Sequence, residues 1–321
     1  MSVDSIYEPI REGLAMVEER LKSLSHVDFP WISGPLQYVL ESGGKRVRPV
    51  LTLLSGKFYN YDLDRLVTMA AGIEVFHTAT LVHDDAVDKA VTRRGKTAVN
   101  RMWGEGIAVL LGDYLYALSS DLICSIGNLR VMKLFARTLT ELSAGQLRET
   151  FGAYDWRQTR EGYYKQINNK TASLFAASTG GGAILSDAPE EAIEAIISYG
   201  RNLGMAFQVV DDILDFTADE KELGKPVGSD LQQGTITLPA LLFMERYPKD
   251  GSVKELFEKR GDQEEVNRII DKVRNTSILD DCYKVAEDFS AGARRDIENL
   301  PDKDCKGSLI DLADYVVERR K

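Results

Sequence analysis

The chain has 321 residues, 44% of them hydrophobic, enough to build a sizeable core and to exclude global disorder. Its 40 basic and 50 acidic side chains leave a formal net charge of −10, which argues against nonspecific nucleic-acid binding because that needs a basic footprint. Three cysteines, Cys124, Cys282 and Cys305, share no redox or metal-ligand spacing. With no secretory leader at the start, they point to free thiols in a reducing cytoplasm. No uninterrupted apolar run reaches the ~18 residues of a membrane span, so a soluble, cytoplasmic protein is expected.

Ile6 to Leu24 carries apolar residues at helical intervals, and Val27 to Pro35 breaks the pattern with two prolines. Arg48-Pro49 predicts a helix start, since proline suits the first turn. A long helix is expected from Leu63 to Asp88, nearly uncharged from Val75 to His83 and therefore interior. Helices follow over Ile107–Cys124, Val131–Phe151, Thr171–Leu185 and Glu190–Phe216. Asp219 to Gly234 reads as a charged loop, and amphipathic helices fill the C-terminal third. Strand periodicity with hairpin turns is scarce, and no composition break divides the sequence. The expectation is a single all-α domain over residues 1–321, with two carboxylate-bearing helices facing each other at its centre.

Those carboxylates lie in two stretches, Leu81 to Asp88 and Phe207 to Asp215. Each reads Asp-Asp-x-x-Asp, formed by Asp84, Asp85 and Asp88 and by Asp211, Asp212 and Asp215. Residues four apart share a helix face, so Asp84 with Asp88, and Asp211 with Asp215, present two carboxylates to one point. Like charges so placed destabilise a helix, and at a C-terminal end they also oppose the macrodipole. A hard cation such as Mg2+ compensates, because it takes oxygen ligands and bridges carboxylates to phosphates. A solvated helix face is the ordinary fate of one acidic pair; two such motifs on apolar helices point instead to a functional site.

Basic groups supply the complement. Gly43-Gly44-Lys45-Arg46-Val47-Arg48-Pro49 combines close backbone approach, a helix N-terminus and three cations. Arg93-Arg94-Gly95 follows the first aspartate motif, and arginine's planar fork suits phosphate oxygens. His77 lies two turns before Asp84 on roughly the same face, either a phosphate contact or a satisfied core residue. His83 reads as structural. Lys170-Thr171 precedes an apolar run, Lys225 lies in the loop after the second motif, and Gln146 and Gln208 each need a partner if buried.

Together these residues resemble the trans-type isoprenyl diphosphate synthases, over about residues 30 to 245. The resemblance implies an all-α bundle of the isoprenoid synthase type, usually homodimeric, with its site in a central cavity. It implies three Mg2+ ions held by Asp84, Asp88 and Asp211, with Asp85, Asp212 and Asp215 in support, to bind an allylic diphosphate primer. Arg93, Lys170 and Lys225 would neutralise that diphosphate. Lys45, Arg48, His77 and Arg94 would form the metal-free pocket for isopentenyl diphosphate, and Thr171 and Gln208 would lie near the reacting carbons. The apolar product implies peripheral membrane contact at release.

Short-chain members of that family place bulky aromatics four and five residues before the first motif. Here Thr80 and Ala79 stand there, which favours a product of C20 or longer. Phe76, two turns from Asp84, is either a deeper floor or core packing. A class I terpene cyclase is the first alternative, opposed by the second Asp-Asp-x-x-Asp motif and by Gly43–Pro49. A non-catalytic subunit of a heteromeric synthase is the second, opposed by retention of all six aspartates.

Overall fold

Wherever the sequence repeats apolar residues at three- and four-residue intervals, the chain is helical. The computed structural model describes residues 3–217 and 227–319. Helices run over Val3–Tyr7 (α1), Arg11–Ser25 (α2), Pro30–Leu40 (α3), Val47–Gly56 (α4) and Leu63–Val87 (α5). They continue with Val99–Trp103 (α6), Glu105–Ser125 (α7), Leu129–Gly152 (α8), Arg160–Ile167 (α9), Ser173–Leu185 (α10) and Glu190–Thr217 (α11). After residue 226 come Ser229–Gln232 (α12), Leu238–Arg246 (α13), Ser252–Lys259 (α14), Gln263–Arg274 (α15), Ile278–Asp296 (α16) and Asp304–Glu318 (α17). Two compact units result. One comprises residues 1–137, 177–197 and 299–309; the other comprises 138–176, 198–298 and 310–321.

In the first unit α5 is the central helix. Asp62 caps it by accepting the Arg65 backbone N–H at 3.3 Å, and Met69, Ile73, Val75, Phe76 and Ala79 are fully buried. Helices α2, α4 and α7 surround it. His83 is structural, as its sequence position indicates: its Nε2 lies 3.0 Å from the Val109 carbonyl oxygen. A Cβ on Gly112 would come within 2.1 Å of that ring, so glycine is what lets the imidazole reach α7. By length and composition alone α5 and α7 could each cross a membrane; the apolar window of α5 is 78% buried in the protein, that of α7 only 39%.

The second unit has its own core. Val209, Val210, Ile213 and Phe216 of α11 meet Leu238 and Leu241 of α13, Ile269 and Ile270 of α15, and Cys282 and Ala286 of α16. These helices are amphipathic, and their apolar stripes are spent on this core.

Three local features depart from the sequence reading. The two prolines do not interrupt a helix but belong to α3: Pro30 occupies its first turn and Pro35 its interior. Pro35 forfeits a backbone hydrogen bond, offset by burial of Pro35, Leu36 and Leu40. Thr92–Arg93 pairs with Lys96–Thr97 as a two-residue-loop hairpin. Its loop residues, Arg94 (φ 51°) and Gly95 (φ 74°), have the left-handed geometry that such tight turns require. Finally, Asn168–Ala172 is wound as a π-helix between α9 and α10.

The glycine run in α10 provides a stability test. A Cβ on Gly182 would lie 2.3 Å from the Thr52 carbonyl oxygen, whereas one on Gly181 would meet the Met69 methyl at 2.1 Å. Backbone cannot move aside and a methionine tip can. Gly182→Ala should therefore cost about 2–3 kcal/mol despite its gain in helix propensity, and Gly181→Ala about 1 kcal/mol or less. Urea denaturation measures both; equal losses would contradict the packing described here.

Candidate active site

Helix α5 ends at the first aspartate motif. Asp88 is its C-terminal cap, Lys89 takes a left-handed conformation (φ 52°), and the Ala90 N–H returns to the Asp85 carbonyl at 2.9 Å. This is a Schellman closure with lysine where glycine is usual, so the stop is imposed by the surroundings. Asp85 is 3% exposed and accepts from Arg93 Nε at 2.8 Å, with a second, shorter contact from Nη2. Asp84 is half-buried and Asp88 exposed.

A cluster of cations stands beside this motif in the first unit. Arg46, in the left-handed region (φ 48°), is buried and donates to Glu18 Oε1 (2.6 Å), Glu74 Oε1 (2.9 Å) and the Leu40 carbonyl (3.2 Å). It is therefore the structural member of the basic loop, leaving Lys45 exposed and Arg48 half-buried. Arg94, on the hairpin turn, donates to the Gly43 carbonyl. A Cβ on Gly44 (φ 154°) would sit 2.9 Å from its guanidinium, so that glycine makes room for it. Desolvation first, then the charge of Arg94, lowers the Arg48 pKa to about 10, against the pull of Glu74. Desolvation also lowers Arg94, with Arg46 and Arg93 adding to it and Glu74 opposing. Cations that depress one another mark a site suited to an anion.

In the second unit, α11 presents Asp211, Asp212 and Asp215. Asp212 is 3% exposed and Asp215 1%. Asp215 accepts from the Ser229 hydroxyl at 2.9 Å and from the Asp230 N–H at 3.3 Å. Asp212 accepts from the Tyr163 hydroxyl at 2.6 Å and from Gln208 Nε2 at 2.8 Å. Burial, and then the charge of Asp230, raises its pKa to about 8, against those two hydrogen bonds. Gln208 Oε1 accepts from the Thr171 hydroxyl at 2.6 Å. Asp211 is half-buried and pairs with Arg319, whose guanidinium lies 4.6 Å from the Phe207 ring centre. Lys170, on the π-helical segment, pairs with Glu149 of α8. A cleft of about 100 Å³ is lined by Glu149, Lys170, Thr171, Gln208, Asp212 and Asp230, among others.

Structure thus divides the nominated residues by unit. Lys45, Arg48, His77, Asp84, Asp85, Asp88, Arg93 and Arg94 belong to the first; Lys170, Thr171, Gln208, Asp211, Asp212 and Asp215 belong to the second. Lys225 lies outside the described residues. Among the described residues no group of three or more carboxylate, imidazole or thiolate side chains gathers at one point. The donors on offer are carboxylate oxygens alone, in small sets. That fits a hard cation such as Mg2+, which completes its shell with water and substrate phosphate oxygens.

Sequence reasoning missed Glu74, Glu149, Tyr163 and Arg319. Glu74 alone left a signal, as the one charge between Arg65 and His77 of an apolar helix. Gln146, which needs a partner if buried, has a buried Oε1 that makes no hydrogen bond among the described residues.

Residues 29–273 match the Polyprenyl synthetase family. The chain is 35% identical over 322 residues to heptaprenyl diphosphate synthase component 2 of Geobacillus stearothermophilus, with 99% of each chain covered. It is 32% identical to the octaprenyl diphosphate synthase of Haemophilus influenzae, over 99% of this chain and 98% of that one. The crystal structure of a Caulobacter crescentus polyprenyl synthase complexed with calcium and isoprenyl diphosphate superposes with a TM-score of 0.95. The identity there is 31%, over 100% of this chain and 98% of that one.

His77 yields a pH test. Burial, then the cations Arg48, Arg94, Arg93 and Arg46, push its pKa well below the ordinary 6.5. The folded protein therefore keeps this imidazole neutral while the unfolded chain takes up its proton as pH falls through about 6.5. Stability contributed by the neutral form is present above that pH and lost below it, by at most about 1.4 kcal/mol per pH unit. Relative to His77→Gln, the wild type should lose stability between pH 6.5 and 5 with that sign. Parallel denaturation curves across this range would show that His77 does not titrate differently in the two states.

Proposed function

The chain belongs to the polyprenyl synthetase family, and on that premise we propose how its own residues carry the reaction. It is a chain-elongating prenyltransferase, condensing isopentenyl diphosphate with an allylic diphosphate into an all-trans polyprenyl diphosphate of C20 or longer. Asp84, Asp88 and Asp211 are the metal ligands in this reading. The observation that carries the assignment is the division among the six aspartates. Asp85, Asp212 and Asp215 are buried, whereas Asp84, Asp88 and Asp211 retain exposure.

Three bound Mg2+ ions would supply electrostatic stabilisation of the departing diphosphate. Lys170, Arg93 and Lys225 neutralise the same group, and Lys45, Arg48, Arg94 and a neutral His77 hold isopentenyl diphosphate. A neutral imidazole donates a hydrogen bond without adding charge to an already repulsive cluster. The allylic C–O bond breaks with its electron pair leaving on diphosphate. The alkene of isopentenyl diphosphate then forms the new C–C bond, and a proton leaves to the released diphosphate. Thr171 and Gln208 present oxygen lone pairs near the cationic carbons.

Product length is assigned to α5. Ala79 is fully buried and Thr80 6% exposed, and both are small. The Phe76 ring centre lies 5.3 Å from that of Tyr116, tilted, and 5.3 Å from that of Phe135, edge to face, a three-ring cluster fit to stop a growing tail.

For the partner, a second copy of the chain suits the exposed apolar face of α7, where Ile107, Val109 and Leu110 are 44%, 47% and 65% exposed. Such a face, on an apolar helix whose window is only 39% buried, is a candidate protein contact. The name of the Geobacillus stearothermophilus relative, heptaprenyl diphosphate synthase component 2, favours a second reading, in which a different subunit covers it. Three free cysteines suit the reducing cytoplasm, with transient membrane contact at release of the apolar product.

Purified alone with Mg2+, the chain should elongate an allylic primer. Activity appearing only with an added subunit would favour the second reading. Asp84→Ala or Asp211→Ala should cut turnover by roughly 10²-fold or more with unchanged circular dichroism, and Arg48→Ala should raise KM for isopentenyl diphosphate more than for the primer. Near-normal turnover in the aspartate variants would remove the metal assignment, and the reverse KM pattern would exchange the two diphosphate pockets.

Sizing the products tests the tail's path. Ala79→Phe should shorten them towards farnesyl diphosphate, and Phe76→Ala should lengthen them. A folded, active Ala79→Phe enzyme with unaltered products would mean that the tail does not follow α5.

A further inference from the structure

We propose that Tyr163 is a positioning residue that fixes, through Asp212, which end of the Gln208 amide faces Thr171 and the cleft. A glutamine side chain has two nearly isosteric ends, one donor and one acceptor, and only its partners decide between them. In the second unit those partners form an unbroken series. Tyr163 donates to Asp212 Oδ2 at 2.6 Å, Gln208 Nε2 donates to Asp212 Oδ1 at 2.8 Å, and Thr171 donates to Gln208 Oε1 at 2.6 Å.

Direction along this series is set from its buried end. Tyr163 is 1% exposed, and burial first and Asp212 second hold its phenol protonated, well above its ordinary pKa. Its hydroxyl is therefore a donor, and it saturates Oδ2. In its ionised form Asp212 keeps Oδ1 as an acceptor, and the Gln208 group that faces it is the Nε2 amide, at 2.8 Å. Oε1 then turns to Thr171, and the lone pairs left on Gln208 Oε1 and Thr171 Oγ1 belong to side chains that line the cleft.

This matters to the reaction because an allylic cation is stabilised by negative ends of dipoles and destabilised by positive ones. Reversing the amide would exchange an oxygen for an NH2 at the same place, changing the sign of the local field without changing the shape of the site. Tyr163 touches no substrate in this account; its effect runs entirely through Asp212 and Gln208. The inference rests on the placing of Thr171 and Gln208 near the reacting carbons.

The experiment is a double-mutant cycle of Tyr163→Phe and Gln208→Leu, assayed for kcat and for both KM values. Tyr163→Phe removes one oxygen and leaves the ring against Tyr164, 5.4 Å away between centroids, so the fold should persist; thermal melting checks this. Tyr163→Phe should lower kcat on the order of tenfold with both KM values within about twofold, and should have no further effect in the Gln208→Leu background. A Tyr163→Phe enzyme with wild-type kcat overturns the inference while leaving the placing of Gln208 intact. So does an equal loss in both backgrounds, which would mean that Tyr163 acts on Asp212 without Gln208. Gln208→Leu at wild-type kcat would remove the placing itself, and the inference with it.

Discussion

The buried pair of Arg46 with Glu74 is the interaction on which the first unit's basic pocket depends. Arg94 is repelled by Arg46 and Arg48 around a neutral His77, and Glu74, 2% exposed, is the countercharge that favours the charged form of all three arginines. The same carboxylate binds Arg46 directly, and Arg46 in turn reaches Glu18 and the Leu40 carbonyl. That anchors the left-handed backbone from which Lys45 and Arg48 project. Breaking such a pair leaves an uncompensated buried charge, worth about 3–5 kcal/mol. One acid thus serves both the fold and the electrostatics of the pocket above it.

The same economy recurs in the second unit. Lys170 is paired with Glu149, and Asp211 with Arg319; in the first unit Arg93 is paired with Asp85. Each of these three charges has an intramolecular partner of opposite sign. In the proposed reaction a diphosphate or a metal ion would enter by exchanging one ion pair for another, which would limit the desolvation that binding has to overcome. A net charge of −10 would by itself repel a diphosphate, another anion. The overall sign sets long-range behaviour, while the local field comes from a few fixed groups.

Spacing made the aspartate motifs legible, because two carboxylates one turn apart on an apolar helix break a local rule twice over. Helix extents were legible for the same reason, as apolar periodicity continues to Val87 and Thr217 before it stops. What periodicity cannot carry is pairing across long separations. Tyr163 lies 49 positions from Asp212, and Arg319 lies 108 from Asp211; nothing near either residue sets it apart. The hairpin was hidden because its turn uses arginine where asparagine or aspartate is the usual signal before glycine. Arg46 could not be told from Lys45 and Arg48 by sequence, since only the partners Glu18 and Glu74 distinguish a structural cation from a ligand-facing one.

The π-helical segment shows how position is enforced where propensity would not choose it. Residues 168–172 carry Lys170 and Thr171, and a π turn is less favourable than the α-helix on either side of it. Two glycines grip this segment. A Cβ on Gly145 would lie 3.1 Å from the Lys170 backbone nitrogen, and one on Gly204 would lie 2.6 Å from the Ala172 Cα. Helices α8 and α11 therefore come into near backbone contact with it, tightly at Gly145 and, at Gly204, closer than a Cβ would allow. Thr171 is held by main-chain packing before its hydroxyl meets Gln208, so in the proposed reaction little ordering would remain to be done there. The unfavourable turn, the two missing side chains and the directed hydrogen bonds are parts of a single arrangement: a rigid backbone that fixes where an oxygen lone pair stands.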